Sequence, residues 1–412
     1  MNIVIIGFDC NPHGESESLI TWKTTEYFLM RNYNITLITK ESYHDDIENE
    51  IKQKNIKNLI VEYCSCPKWS KRYGVQKNFI LKFIALNKYI QEFFDECFEK
   101  LLIIEKKIKI DVIYRVTPNS YRSVINLSHF HDCIKLMGPC GGAQEMPKKL
   151  LRNLSFKNKL IEYFHRASNF IAFNSKKKIN AYNSYDYIFC CNIETYNCFC
   201  NKIDKNKLVL LSDVGIDNIY NNSSKENHDY LTMLWVGRMI YRKGLDYLID
   251  AVNNLSVKKV KIIIVGDGPE MTNIKNKISK NNLEKIITLT GRLTRNETLE
   301  YYQKADLFVF PSLRESSGNV LLESISNGVP VLAFDIGGAP LILGNSGILI
   351  NIKNKSRNDI ISEMNHIIDK ATNDKSFLLN YKDNTYKNAE ILKWKNKIEI
   401  IDAKIKRREN DS

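Results

Sequence analysis

The chain has 412 residues, of which 43% are hydrophobic and 26% are charged. This length exceeds one ordinary domain core, and the composition excludes a collagen-like chain, a disordered Pro/Gly-rich chain and a small disulfide scaffold. The 60 basic residues outnumber the 47 acidic ones by 13, which favours an anionic partner such as a phosphorylated ligand or an acidic lipid surface. Because the lysines are scattered along the chain, we expect no nucleic-acid partner.

Strand-like and helix-like stretches alternate through the first half of the chain. Short apolar runs predict strands, and apolar residues at helical spacing predict helices. The predicted strands are 1–7, 35–39, 108–116, 134–137, 170–173 and 187–190, and the predicted helices are 19–30 and 78–97. This alternation is typical of a doubly wound parallel sheet.

A polar run at residues 221–228 interrupts the pattern and is typical of a linker. The alternation then resumes with predicted strands at 231–236, 261–265, 286–290, 307–310 and 329–334. Helices are predicted at 244–254, after Pro269, from Asn296 and at 320–327. The sequence therefore predicts α/β architecture with two Rossmann-like, doubly wound domains. We expect their strand ends to face one another across a cleft that could hold a nucleotide.

Two glutamates follow the predicted strand at 307–310. Glu315 lies in the loop and Glu323 lies in the helix after it, so both can face the end of that strand. Between them, the helix start at 318–320 offers free N–H groups to a phosphate. Carboxylates accept hydrogen bonds from paired sugar hydroxyls. This combination favours a nucleotide-sugar, although a solvated loop glutamate and an ordinary helix-face glutamate would give the same pattern.

Further motifs directly follow the predicted strands of the second half of the chain. Gly237-Arg238 follows its first strand, and Arg242-Lys243-Gly244 opens the next helix. We expect Arg238 and Lys243 to project at the strand ends, where a guanidinium and an ammonium suit a diphosphate. Gly266-Asp267-Gly268-Pro269 is not a dinucleotide-binding fingerprint because the third glycine is missing.

Taken in order, these motifs over about residues 231–350 resemble the nucleotide-sugar half of retaining glycosyltransferases of family 4, which have the GT-B fold. The resemblance implies transfer of a hexose from a UDP- or GDP-linked donor, without a metal or other cofactor, in polysaccharide or glycolipid biosynthesis. It implies catalytic roles for Glu315, Arg238 and Lys243. It also implies donor-binding roles for Glu323, Gly318, Asn319, Val320, Gly237, Arg292 and Gly14.

The first half resembles the acceptor side of the same family less closely. His13 and Thr117 are the acceptor-side candidates, and Val116 stands where many relatives carry a histidine. The resemblance predicts three parts: an acceptor-side domain at 1–213, a donor domain at 214–388, and a C-terminal helix at 389–412 that returns to the first domain. Phe79, Phe83 and Phe93 are expected to pack in the core or on the acceptor face. If exposed, with Lys82 and Lys88, they would make a basic apolar face for a lipid-linked acceptor at a membrane.

The ten cysteines all precede residue 201 and form no C-x-x-C pair, so reduced thiols in a cytoplasmic protein are favoured over a metal cluster. We expect a cytoplasmic enzyme with a glycan or lipid-linked acceptor, and peripheral contact with the inner face of a membrane. Two alternatives stay open. One is a non-catalytic nucleotide-sugar-binding partner in a glycan assembly complex, and the other is a GT-B enzyme such as a sugar-nucleotide epimerase or a phosphorylase.

Overall fold

The computed structural model describes residues 1–14, 17–220, 229–256 and 258–411. Its contacts divide the chain into two compact units. The first comprises Met1–Ala143, Asn169–Val214 and Trp394–Ser412, and the second comprises Gln144–Ser168 and Gly215–Lys393. This division differs from the predicted boundaries chiefly at Gln144–Ser168, which packs with the second unit. The predicted linker at 221–228 lies outside the described residues.

The first unit is built on a parallel seven-stranded sheet in the order β3-β2-β1-β4-β5-β6-β7. Its strands are β1 (Asn2–Gly7), β2 (Asn34–Lys40), β3 (Leu59–Cys64), β4 (Val112–Thr117), β5 (Ile134–Cys140), β6 (Tyr187–Cys190) and β7 (Leu208–Leu210). Nearly every residue of β1, β4 and β5 is buried, as expected for strands covered on both faces by helices.

The helices of the first half of the chain follow the predicted alternation. They are α1 (Glu17–Leu29), α2 (His44–Lys54), α3 (Pro67–Val75), α4 (Phe79–Glu105), α5 (Lys148–Leu151), α6 (Phe156–Asn174), α7 (Lys176–Asn183) and α8 (Ile193–Cys200). The strand predicted at 170–173 is wrong, because these residues form the last turns of α6. Within this apolar run Ala172 and Phe173 are buried while Phe170 and Ile171 are exposed, a grouping that follows helical rather than strand periodicity.

The second unit is built on a parallel six-stranded sheet in the order β10-β9-β8-β11-β12-β13. Its strands are β8 (Leu231–Val236), β9 (Val260–Val265), β10 (Ile287–Gly291), β11 (Leu307–Phe310), β12 (Val331–Phe334) and β13 (Gly347–Ile350). The order reverses at β8, from which the chain moves first outward to β9 and β10 and then to β11 on the other side. Ligands of open α/β sheets bind beyond the strand ends at such a reversal.

The second sheet is covered by helices drawn from two parts of the chain. They include α9 (Leu245–Asn253), α10 (Met271–Lys280), α11 (Arg295–Lys304), α12 (Asn319–Ser326), α13 (Ala339–Leu343), α14 (Arg357–Asn373) and α15 (Leu379–Ile391). Met146, Leu150 and Leu151, from the segment around α5, are buried in the same core. The predicted class of two doubly wound α/β domains is confirmed.

The last helix, α16 (Trp394–Asp411), belongs to the first unit. Trp394, Ile398, Ile401 and Ile405 are buried in the core cluster that contains Ile3 and Ile5 of β1. The ten cysteines are free thiols, of which Cys198 and Cys200 are half-buried and the others buried. In the described part of the chain, no helix combines the length and the apolar character needed to cross a bilayer.

Candidate functional site

The loops after β8 and β11 lie in direct contact beyond the ends of these neighbouring strands. Gly244 has φ +66°, and a Cβ on it would lie 1.9 Å from the carbonyl oxygen of Pro311. The Leu313 N–H donates to the carbonyl of Arg242 at 2.7 Å. Only glycine combines this left-handed backbone with so close an approach. Gly244 therefore brings the Arg242-Lys243 pair beside the loop that carries Glu315.

The loop after β12 packs against the other side of the Glu315 loop. Gly337 has φ +63°, and a Cβ on it would lie 1.9 Å from the carbonyl oxygen of Glu315. A Cβ on Gly338 would lie 2.4 Å from the carbonyl oxygen of Ser317. The segment 315–317 is thus confined between two neighbouring loops by backbone-to-backbone contact, which fixes the direction of the Glu315 side chain.

Glu315 and two basic side chains form the charged centre of this site. The Lys243 ammonium donates to Glu315 Oε2, and Arg242 Nη1 lies 3.6 Å from the same oxygen. The side chains of Glu315 and Lys243 are 14% and 16% exposed. Burial raises the pKa of Glu315, but the charges of Lys243 and Arg242 outweigh it and hold this pKa below its usual range. The carboxylate is therefore ionised at neutral pH, and the two cations leave an excess of one positive charge.

A buried carboxylate from α6 joins the two loops behind this centre. Glu162 is fully buried, and its Oε1 accepts from the Tyr241 hydroxyl at 2.7 Å and from Arg314 Nε at 3.2 Å. Burial and the Glu162 charge raise the pKa of Tyr241 to about 12. Arg242 donates in turn to the carbonyl of Arg314 at 3.0 Å. Glu162 Oε1 thus binds Arg314, which directly precedes Glu315, and Tyr241, which lies two residues before Lys243.

The predicted phosphate-binding turn lies at the start of α12. Gly318, with φ +102°, caps the helix, and a Cβ on it would lie 3.2 Å from the Phe310 ring. Asn319 and Val320 form the first turn, where N–H groups point out of the helix end. Glu323 lies one turn further on, beside the Tyr302 hydroxyl, which donates to the Val320 carbonyl at 3.1 Å. Burial, followed by the Glu323 carboxylate, raises the pKa of Tyr302.

The remaining donor-side candidates of the second unit lie at strand ends on the surface. Gly237 directly follows β8, and a Cβ on Gly266 would meet its carbonyl oxygen at 1.9 Å. The side chains of Arg238 and Arg292 are exposed. The structure therefore brings Lys243 and Glu315 together, but the cation that joins them is Arg242 rather than Arg238. A catalytic role for Arg238 and a base-binding role for Arg292 stay predictions.

The candidates in the first unit occupy the ends of β1 and β4. Thr117 is fully buried. Its hydroxyl donates to the Asp9 carbonyl at 3.0 Å and accepts from the Asp9 N–H at 3.1 Å, so this side chain joins two loops. His13 is mostly exposed, and its Nε2 lies 3.6 Å from a Glu50 carboxylate oxygen. A Cβ on Gly14 would lie 2.2 Å from the Ser18 hydroxyl.

Sequence reasoning missed Glu162 and Arg314, and it gave Arg242 no role. A role for Arg242 could have been predicted, since it directly precedes Lys243 in the Arg242-Lys243-Gly244 motif. Glu162 lies 153 positions before Glu315 in a segment assigned to the other domain, so no local pattern connects it with the site. In the described residues, no group of three or more His, Cys, Asp or Glu side chains is placed to hold a metal ion.

Residues 217–389 match the family model of the glycosyl transferases group 1. Over 129 residues the chain is 30% identical to a phosphatidylinositol N-acetylglucosaminyltransferase gpi3 subunit of Schizosaccharomyces pombe, covering 31% of this chain and 28% of that protein. Over 104 residues it is 32% identical to an alpha-monoglucosyldiacylglycerol synthase of Streptococcus pneumoniae, covering 25% of this chain and 24% of that one. The chain thus spans about a quarter of the length of these two relatives.

The fold is similar to that of sucrose-phosphate synthase from Thermosynechococcus elongatus, with a TM-score of 0.64 over 100% of both chains. At 13% sequence identity this likeness concerns the fold alone. The sequence match and the fold match agree, and the predicted resemblance to family 4 glycosyltransferases of the GT-B fold is confirmed.

Proposed function

Since residues 217–389 form a group 1 glycosyl transferase domain, we propose that the protein transfers a hexose from a nucleotide-sugar donor to a glycan or lipid-linked acceptor. The observation that carries the proposal is the ionised Glu315 held between Lys243 and Arg242 at the ends of β8 and β11. A site of this kind offers cations to a diphosphate and a carboxylate to sugar hydroxyls within the reach of one ligand.

The proposed donor would lie across the ends of the second sheet. Lys243 and Arg242 would bind the diphosphate, with Arg238 as a further cation from the loop before them. The N–H groups of the first turn of α12 would bind the same phosphates, because a helix start favours anions. Glu315, ionised and confined between two loops, would accept hydrogen bonds from the sugar hydroxyls. Glu323 would do the same for the ribose.

The proposed reaction retains the configuration of the transferred sugar. The bond between the sugar and the diphosphate breaks with positive charge developing on the sugar, and the diphosphate leaves with the bonding electrons. Fixed cations that stabilise the departing charge lower this barrier. The departing phosphate oxygen takes the proton of the acceptor hydroxyl, which attacks from the same face. The charges of Lys243 and Arg242 supply this stabilisation, so the proposal needs no divalent metal or other cofactor.

The acceptor is proposed from the relatives and from the charge of the chain. Both relatives described above carry a lipid in their names, phosphatidylinositol in one and diacylglycerol in the other. A formal charge of +13 favours approach to an anionic membrane. We therefore propose a lipid-linked or glycan acceptor, a UDP- or GDP-linked donor, and a cytoplasmic protein in peripheral contact with the inner face of a membrane.

A second candidate function is a non-catalytic nucleotide-sugar-binding subunit of a glycan assembly complex. The observation that favours it is that the Schizosaccharomyces pombe relative is itself named as a subunit. Donor turnover by the purified chain would exclude this alternative, since a binding subunit would leave the donor intact.

Transfer by Glu315→Ala, Arg238→Ala and Lys243→Ala variants tests the assigned roles. We expect Lys243→Ala and Glu315→Ala each to lose on the order of a hundredfold in activity, because one electrostatic contact in a dry site contributes that much. Lys355→Ala is the matched control, since it breaks a lysine–glutamate pair with Glu363 elsewhere in the same unit. Unchanged transfer in all three site variants would refute the assignment. The anomeric configuration of the product, read by NMR, decides between retention and inversion.

A further inference from the structure

One buried tyrosine hydroxyl contacts both the first turn of α12 and the glutamate one turn further on. Tyr302, near the end of α11, is fully buried, and its hydroxyl donates to the Val320 carbonyl at 3.1 Å. The same hydroxyl is hydrogen-bonded to the Glu323 carboxylate. Val320 and Glu323 lie three residues apart and therefore on the same side of α12, so a single O–H group can reach both.

The ring of Tyr302 attaches α11 to the second sheet, which is a structural role. The buried residues of α11 are Thr298 and Tyr302. The Tyr302 ring lies against Phe308 of β11, with 5.4 Å between the two ring centroids. A phenylalanine ring would fill the same space and make the same contact. The hydroxyl is therefore the part of this side chain that packing does not explain.

Neither acceptor of this hydroxyl needs it for the fold. The carbonyl of a helical residue such as Val320 pairs with the N–H four residues further on, and Glu323 is only half-buried, so water can reach its carboxylate. Burial, followed by the charge of Glu323, raises the pKa of Tyr302, so the hydroxyl keeps its proton at neutral pH and acts as a donor. A neutral donor fixes the direction of the carboxylate without pairing its charge, unlike the lysine that pairs with Glu315.

The main chain of Glu323 is fixed as well. Its carbonyl accepts from the Ser326 hydroxyl at 2.9 Å and from Asn327 Nδ2 at 2.8 Å, and Asn327 is fully buried. Glu323 is therefore held at its backbone by the end of α12 and at its side chain by α11. Ordering a flexible side chain when a ligand binds costs a factor of about two to ten in affinity. A glutamate that is already ordered avoids this cost.

From these contacts we propose that Tyr302 is a positioning residue for ribose recognition. Its hydroxyl holds the Glu323 carboxylate in the orientation that accepts hydrogen bonds from a vicinal diol, the 2′ and 3′ hydroxyls of a ribonucleotide. The inference rests on the proposed function, in which Glu323 binds the ribose of the donor. The selectivity for ribose over deoxyribose then depends on a fully buried side chain of a different helix. Because the same hydroxyl contacts Val320, the carboxylate also keeps a fixed position relative to the turn that would bind the diphosphate.

Nucleotide binding by the full chain in calorimetric titration tests this role. The probes are UDP and GDP, each with its 2′-deoxy counterpart. The variants are Tyr302→Phe, Glu323→Gln and the double variant. The matched control is Tyr185→Phe in the first unit, because Tyr185 is also fully buried and its hydroxyl also donates to a carbonyl, that of Ile125 at 2.9 Å. The thermal midpoint of each variant verifies that it is folded.

We expect the unaltered chain to bind the ribonucleotide about tenfold or more tightly than its deoxy counterpart, since a hydrogen bond to a charged group contributes that much. Tyr302→Phe should weaken ribonucleotide binding about tenfold and deoxynucleotide binding about threefold or less, so that the preference for ribose falls. In the Glu323→Gln background the same change should have little further effect, because Tyr302 acts through Glu323. Tyr185→Phe should keep the preference of the unaltered chain.

Tyr302→Phe with unchanged binding, or with equal losses for ribonucleotide and deoxynucleotide, would overturn the proposal, since a merely structural role predicts these results. Additive losses in the double variant would overturn the action through Glu323. A folded chain that binds a nucleotide without preferring ribose would refute the inference and leave the diphosphate site of the proposed function standing. A folded chain that binds no nucleotide would refute the proposed function, and the inference with it.

Discussion

The coupling between Glu162 and Arg314 should be measurable as a free energy. Glu162 is fully buried, Arg314 is 16% exposed, and Glu162 Oε1 lies 3.2 Å from both Arg314 Nε and Arg314 Nη2. Breaking a buried pair by removing one partner costs about 3 to 5 kcal/mol, because the other charge is left uncompensated. Glu162→Gln keeps the shape of the side chain but removes its charge, so we expect a loss of unfolding free energy near the lower end, about 3 kcal/mol.

The assay is a double-mutant cycle by urea unfolding with Glu162→Gln, Arg314→Gln and the double variant. Once one charge of the pair is gone, removing the other costs little further unfolding free energy. The double variant should therefore be no less stable than the less stable of the two single variants. The coupling energy should reach about 2 kcal/mol. The control cycle uses Lys355→Gln and Glu363→Gln, whose side chains are 34% and 37% exposed. That pair should couple by less than about 1 kcal/mol.

Additive losses at Glu162 and Arg314, within about 0.5 kcal/mol, would refute the view that this carboxylate holds the loops through its charge. A second readout tests the consequence for the site. Because Glu162 joins the loops that carry Lys243 and Glu315, Glu162→Gln should also weaken nucleotide binding, whereas Lys355→Gln should leave it unchanged.

Two further predictions concern backbone and pH. Gly244→Ala and Gly344→Ala both place a Cβ at positive φ, which should cost each about 1 to 2 kcal/mol of unfolding free energy, and the clash with the Pro311 carbonyl should add to the loss in Gly244→Ala. Only Gly244→Ala also displaces Pro311, so it alone should weaken nucleotide binding in calorimetric titration; equal binding by both variants would contradict the loop contact. Burial lowers the pKa of Lys397 from 10.5 to about 7, against the opposing charge of Asp213. Between these pH values the unfolded chain holds a proton that the folded chain has lost, so stability should rise from pH 7 toward pH 10 by up to about 1.4 kcal/mol per pH unit. Urea unfolding of Lys397→Met should lack this increment, and an identical slope in both proteins would refute the prediction.

The strands β8 to β12 were predicted because their sequences are short apolar runs, whereas β13 was missed. The strand at 231–236 and the strand at 307–310 were predicted with the bounds that the structure gives to β8 and β11. The location of the motif residues followed from the strands, because the carboxyl ends of parallel strands lie at one edge of the sheet and their loops meet there. Lys243 pairs with Glu315 because the loops that carry them are in contact at this edge.

What could not be predicted depends on contacts between distant segments. An apolar run of four residues at 170–173 fits a buried strand as well as a helix, and only the length of α6 decides between them. The membership of Gln144–Ser168 in the second unit depends on the burial of Met146, Leu150 and Leu151 against that unit. Sequence order alone assigns these residues to the first domain, and with them Glu162.

The position of Arg242 beside Glu315 has a local cause. Gly244 draws the end of the loop toward Pro311, and the Leu313 N–H bonds to the Arg242 carbonyl. Arg242 is therefore fixed at the contact, whereas Arg238 lies four residues earlier on the exposed part of the loop. Spacing along the chain could not distinguish the two arginines.

Thermal unfolding with nucleotides tests the central claim most directly. The panel is UDP, GDP and ADP with their sugar conjugates, each with a chelator and no added metal, on the unaltered chain and on Lys243→Ala. A ligand at a hundred times its dissociation constant adds about 2.7 kcal/mol to the stability of the domain that binds it. The proposed function predicts a raised midpoint with one base, UDP or GDP, that is lost in Lys243→Ala. A folded chain whose midpoint no nucleotide moves would contradict it.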